Sequence, residues 1–116
     1  MIKLTANEKT ILCYMVCNTN SWCECIDFNK DEWLFGEDYF EGHIDLSELM
    51  EKTECKYKVN KLKGIIGSLV SKGAIENIGM NGDCNGFFFY KEVWAELRNE
   101  LKATQNEMTE CGVKFN

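Results

Sequence analysis

The sequence predicts a mainly α-helical domain with one small β-hairpin. Three observations carry this expectation. Apolar residues recur at helical spacing in four stretches, near residues 6–17, 46–53, 57–72 and 91–104. Two of those stretches open on helix-capping sequences, Thr5-Ala6-Asn7-Glu8 and Asp45-Leu46-Ser47-Glu48. Between the third and fourth stretches, Asn81-Gly82 is flanked by "AIENIG" and "FFFY", the chemistry of a tight turn between two strands. The expected order is helix, helix, helix, hairpin, helix, within one domain over 1–105 that ends in a polar tail at 106–116.

The first helix is read over about 6–17. The Thr5 hydroxyl can accept from the backbone of the third helical residue, and Glu8 can reach back to the cap. Ile11, Leu12 and Met15 form one face. Cys13 and Cys17, spaced i and i+4, form another, so both faces meet protein. Residues 18–43, "NTNSWCECIDFNKDEWLFGEDYFEGH", break the pattern. They hold seven acids against one lysine, and six of the fourteen aromatics. Their periodicity is poor and they exceed the roughly 4–6 residues of an ordinary connection, so they read as an irregular insertion. Its aromatics Trp22, Phe28, Trp33, Phe35, Tyr39 and Phe40 are expected to cover the Cys13/Cys17 side of the first helix.

The second helix starts from Asp45 as cap and ends near Thr53, with Leu46, Leu49 and Met50 on one side. After the short connection "ECKY", the third runs over about 57–72. Val59, Leu62, Ile66 and Leu69 make its stripe, widened by Ile65 and Val70. Gly73 stands where a left-handed C-terminal residue is wanted. The hairpin is read as 75–79 and 86–90. The last helix begins near Lys91, carries Val93, Trp94, Leu97 and Leu101, and frays beyond about 104.

Composition limits the function classes. A content of 45% hydrophobic and 28% charged residues is that of a soluble globular protein. The longest apolar run, "ILCYMVC", is too short for a membrane span of roughly 20 residues, and the start shows no apolar signal core, so a cytoplasmic location is expected. Seven cysteines, an odd number, then read as free thiols packed as small hydrophobes. The chain has a net charge of −6, yet residues 55–75 carry Lys56, Lys58, Lys61, Lys63 and Lys72 and no acid, which leaves −11 on the remainder. Such segregation is a local field of the kind a polyanion meets.

The stretch "DLSELMEKTECKYKVNKLKGIIGSLVSKGAIEN", residues 45–77, resembles a winged helix-turn-helix domain. It is similar in plan to the MarR-like group and to small phage and bacterial regulators. In that family the third helix is the recognition helix and ends in an L-V-x-K-G-x-I pattern before the wing. Here that pattern is Leu69-Val70-Ser71-Lys72-Gly73-Ala74-Ile75. The resemblance implies a three-helix core, a wing and a C-terminal helix, and a transcriptional regulator that binds double-stranded DNA as a homodimer. It covers 45–90 well and 5–17 loosely, and leaves out the insertion.

The residues themselves point to the same surface. With Leu62, Ile66 and Leu69 inward, the opposite side of a helix over 57–72 shows Tyr57, Asn60, Gly64, Gly67, Ser68 and Ser71, with Lys61 and Lys63 at its edges. A helix entering the major groove needs a narrow polar centre with phosphate contacts at the rims. The candidate DNA-binding set is therefore Tyr57, Lys58, Asn60, Lys61, Lys63, Gly64 and Ser68. The blander reading is that these lysines form a solvated face, or that Gly64 and Gly67 let another helix pack closely. The wing tip "GMNGDCNG" has no Lys or Arg, so wing contact with the minor groove is not expected. Arg98 is the sole arginine, so bidentate guanine reading from this helix is not expected either.

A different class of function is a protein-interaction module, in which Trp33, Phe35 and Tyr39, set among acids, bind or block a basic nucleic-acid-binding protein. Cys13, Cys17, Cys23 and Cys25, with His43 and Cys55, do not reproduce a zinc-site spacing, so no metal or other cofactor is assigned, and a cysteine-based metal or redox switch added to DNA binding stands as a third alternative. No serine sits in a nucleophile elbow, no glycine run spells a phosphate loop, and no spacing singles out a carboxylate pair. The chain is read as a non-enzyme.

Overall fold

The computed structural model describes residues 1–17, 25–78 and 86–115. The expected Asn81-Gly82 turn, with the wing-tip stretch around it, and Trp22, Cys23 and Cys84 lie outside the described residues. Among the described residues the chain forms a mixed α/β fold of four helices and one three-stranded antiparallel sheet.

Helix α1 (Ala6–Cys17) opens on the anticipated capping box. Thr5 N donates to Glu8 Oε1 at 2.7 Å, and Glu8 N donates to Thr5 Oγ1 at 3.2 Å. Every residue from Ile11 to Cys17 is buried, because α1 sits at the centre of the fold and touches each other helix. Ile11, Leu12, Met15 and Val16 are wholly inside. Each contributes roughly 2 kcal/mol of burial, which makes α1 the post the rest is hung on.

The region read as an irregular insertion contains a strand, β1 (Tyr39–His43). Its alternation is real but short: Phe40 and Gly42 point inward, and Tyr39, Glu41 and His43 outward. Gly42 leaves room for a neighbouring ring. A methyl group there would lie 2.4 Å from Phe87 Cζ, so the Phe87 ring occupies the space a side chain would take. A strand whose second inward residue is glycine shows little hydrophobic period, and this hid it in the sequence.

Helix α2 (Leu46–Lys52) follows, with Asp45 at its N-cap in extended conformation but without a side-chain cap bond. A turn through Thr53–Lys58 leads to α3 (Val59–Ser71). Glu54 and Cys55 both take positive φ, 55° and 59°, to make this turn. Leu62, Ile65, Ile66 and Leu69 of α3 are buried as expected, while Val59 is 37% exposed and stands outside the stripe. Gly73 closes α3 at φ +80°.

Strands β2 (Glu76–Asn77) and β3 (Gly86–Tyr90) pair as the hairpin, and β1 adds to the other side of β3, giving the order β1-β3-β2. Phe87 and Phe89 face the core beside Phe40. Helix α4 (Lys91–Glu110) is longer than its apolar pattern suggested. The polar-looking end is held by two buried residues, Met108 and Gln105. Gln105 Oε1 accepts from Phe28 N at 2.9 Å, which ties the incoming chain to α4. Beyond it, Phe115 packs against Tyr14.

Phe28 and Phe40 lie in the same core as Cys13 and Cys17 of α1, and Trp33 and Phe35 pack against that core. Phe28 meets Phe89, Trp33 meets Phe35 and Trp94, and Phe35 meets Phe40, so they also pack on α4 and the inner side of the sheet. Arg98 reinforces this seam, donating to Lys30 O at 2.9 Å and to Asp31 Oδ1 at 2.6 Å.

Candidate nucleic-acid interface

Helix α3 is clamped from one side and open on the other. Its clamp is built on a buried charge. Glu8, 4% exposed, accepts from Lys72 Nζ at 2.6 Å and from Ser68 Oγ, besides closing the cap with Thr5. Burial by itself would raise this carboxyl. The hydrogen bonds from Lys72, Ser68 and Thr5 outweigh it and lower the pKa to about 2. Lys72 also donates to Lys3 O at 2.9 Å. Sequence reasoning recognised Glu8 only as a capping residue. Its second role needs partners 60 and more residues away, and no local signal announces them.

Two of the seven candidate DNA-facing residues belong to this clamped side. Ser68 is half-buried against Glu8, not centred on the outer face. Tyr57 is buried, and its hydroxyl donates to Asn7 Oδ1 at 3.0 Å. Tyr57 precedes the helix, so the helical wheel that placed it outward does not apply. Its ring still serves the surface, because Lys61 Nζ lies 5.7 Å from the ring centroid.

The other five come together. Lys58, Asn60, Lys61, Lys63 and Gly64 are all exposed, and Gly67 and Ser71 continue the same side. A methyl group built on Gly64 or Gly67 meets no atom within 4 Å. No part of the described chain packs there, so the glycines do not seat a neighbouring helix within it. The result is a helix face about 20 Å long by its 1.5 Å rise per residue, smooth at the centre and edged by ammonium groups.

No protein-family model, curated protein or solved structure matches this chain.

A residue set missed in the sequence lies beside the turn before α3. Lys52, Lys56 and Lys114 line a cleft of about 500 Å³ with Tyr14, Glu54 and Val113, so three cations face one carboxylate. The sequence distance between Lys56 and Lys114 hides this convergence.

Of the candidate partner residues, Trp33 and Phe35 are half-buried in the aromatic seam, and Trp33 Nε1 donates to Glu37 O at 2.7 Å. Tyr39 alone of the three keeps a substantially open ring, 37% exposed. Cys13 and Cys17 are buried. A hydrogen bond with Cys13, followed by burial, pushes the Cys17 thiol well up, which disfavours the thiolate that a metal or an oxidant requires. Among the described residues no three His, Cys, Asp or Glu gather as a metal site, and no helix is long and apolar enough to cross a membrane. His43 is exposed, with Nε2 2.8 Å from Glu41 Oε2.

Proposed function

We propose that the chain is a sequence-specific double-stranded DNA-binding protein, a transcriptional regulator of the winged helix-turn-helix type, with α3 as its recognition helix. The observation that carries this reading is the open, glycine-centred, lysine-edged face of α3. The order α1, β1, α2, α3, β2, β3 and the short α2–α3 turn agree with that layout.

Each residue then has a physical task. Lys58, Lys61 and Lys63 neutralise phosphates at the rims of the major groove. Asn60 offers the paired donor and acceptor that match adenine. Gly64 and Gly67 let the backbone approach the base edges. Lys58 at the N-cap has no side-chain acceptor to cap the helix, so the first amides of α3 can face a phosphate. The acidic remainder of the chain repels the duplex in other orientations, so a wrongly oriented encounter gains little. The protein acts as a homodimer, placing two recognition helices on half-sites about 34 Å apart.

Selection of bound sequences from random duplex DNA tests this directly. Enrichment of a common, two-fold-related motif is the expected result. With three phosphates neutralised per protomer, the logarithm of affinity should fall with log salt at a slope of about −3 for one half-site. Absence of any enriched motif, or affinity unchanged by salt, overturns the proposal.

A further inference from the structure

The outer face of the sheet is a second surface, chemically opposite to α3. Strand register arranges it in rows. Tyr39 lies opposite Tyr90; Phe88 lies between Glu41 on β1 and Glu76 on β2; His43 and Ile78 lean over Gly86. Phe88 touches Tyr39 at 4.6 Å and Tyr90 at 6.2 Å between ring centroids, so three aromatics form one continuous patch. Tyr39 and Ile78 are 37% and 38% exposed. By the strand spacing, the two glutamates stand about 10 Å apart across the Phe88 ring. Tyr90 OH donates to Glu76, which fixes that carboxylate beside the rings. A cleft of about 630 Å³ opens at the end of the patch, lined by Asp38, Tyr90, Lys91 and Glu92. Four carboxylates thus frame the aromatics, against one lysine and one histidine.

Aromatic rings between carboxylates discriminate among partners. A nucleic acid would find rings to stack on but phosphates repelled on both sides. A neutral apolar segment would cover Glu41 and Glu76 and strip their water, leaving His43 beside the first and the Tyr90 hydroxyl on the second with no new cation to offset the lost hydration. A guanidinium meets both demands: its plane lies on a ring while its N–H groups reach a carboxylate in pairs. We infer that the outer sheet face, Tyr39, Phe88 and Tyr90 between Glu41 and Glu76, docks an arginine-bearing segment of another protein. This surface lies on different elements from α3 and does not rest on the DNA-binding reading.

The test uses the full chain and a nona-arginine peptide at physiological salt, followed by amide chemical-shift perturbation, with nona-lysine as the equally charged comparator. The proposal expects shifts concentrated at 39–43, 76–78 and 86–92. It expects nona-arginine to bind several-fold tighter than nona-lysine. Glu41→Gln combined with Glu76→Gln should weaken nona-arginine by roughly tenfold, and Tyr39→Ala by several-fold, with melting temperature recorded for each variant. Shifts scattered over the other acidic segments, or equal affinity for the two peptides, overturn it. So does movement of these resonances by a single-stranded oligonucleotide, or by protein concentration alone, which would assign the face to nucleic acid or to a second copy. A parallel titration with duplex DNA reads α3 separately, so failure of one surface is not failure of the other.

Discussion

The α3 face and the outer sheet face differ in nearly every property that matters for recognition. One is convex, glycine-centred and basic; the other is a broad aromatic patch framed by carboxylates. A net charge of −6 describes neither. It is the sum of a lysine-rich segment and an acidic remainder, and only their placement on separate elements makes either surface useful. The contrast also separates how the two are maintained. The α3 face is empty by composition, since its centre consists of residues without side-chain bulk. The sheet face is held by ring-on-ring packing and by a tyrosine–glutamate hydrogen bond.

The largest expected effect tests whether the basic face acts alone. Lys61→Glu with Lys63→Glu should abolish duplex binding, on the order of a hundredfold or more, in a mobility-shift or anisotropy assay. Binding of nona-arginine at the sheet should stay unchanged. Loss of both would mean that the surfaces are not independent.

The next effect contrasts glycines of opposite kinds. Gly42→Val forces a side chain into the Phe87 ring and should lower stability by about 1–3 kcal/mol in a denaturant titration. Gly64→Ala and Gly67→Ala meet nothing and should each raise stability by roughly 0.5–1 kcal/mol through helix propensity. Gly64→Leu should fold equally well yet weaken DNA binding, because it broadens the groove-facing side. If Gly64→Leu destabilised the protein, the open face would be wrong.

A subtler effect concerns pH. The Glu8 pKa is about 2 in the folded protein, below its ordinary value near 4.5. Its contribution is therefore fully present above about pH 4.5 and is lost as pH falls through that value toward 2. The melting temperature should drop across this window. Glu8→Gln should start lower and show a shallower acid decline in the same thermal scans.

Much of the helical framework was legible because each helix announces itself locally. The capping box at Thr5/Glu8, the Leu62/Ile66/Leu69 stripe and Gly73 are all signals within a few residues. The outward positions of Asn60, Lys61, Lys63 and Gly64 follow from the same wheel. What escaped depends on partners far along the chain. Strand β1 is specified by pairing with β3, not by its own five residues, and its inward Gly42 makes sense only beside Phe87. The end of α4 looked polar because Gln105 is polar, yet it is buried to receive the Phe28 amide. Tyr57 and Ser68 were misplaced for two separate reasons. The first lies ahead of the helix, and the second is drawn sideways by a glutamate on α1.

One lysine joins the start of the chain to the C-terminal end of α3. Lys72 grips the carbonyl of Lys3 and the carboxylate of Glu8 while capping α3. The opening residues are thus a strap over the C-terminal end of α3.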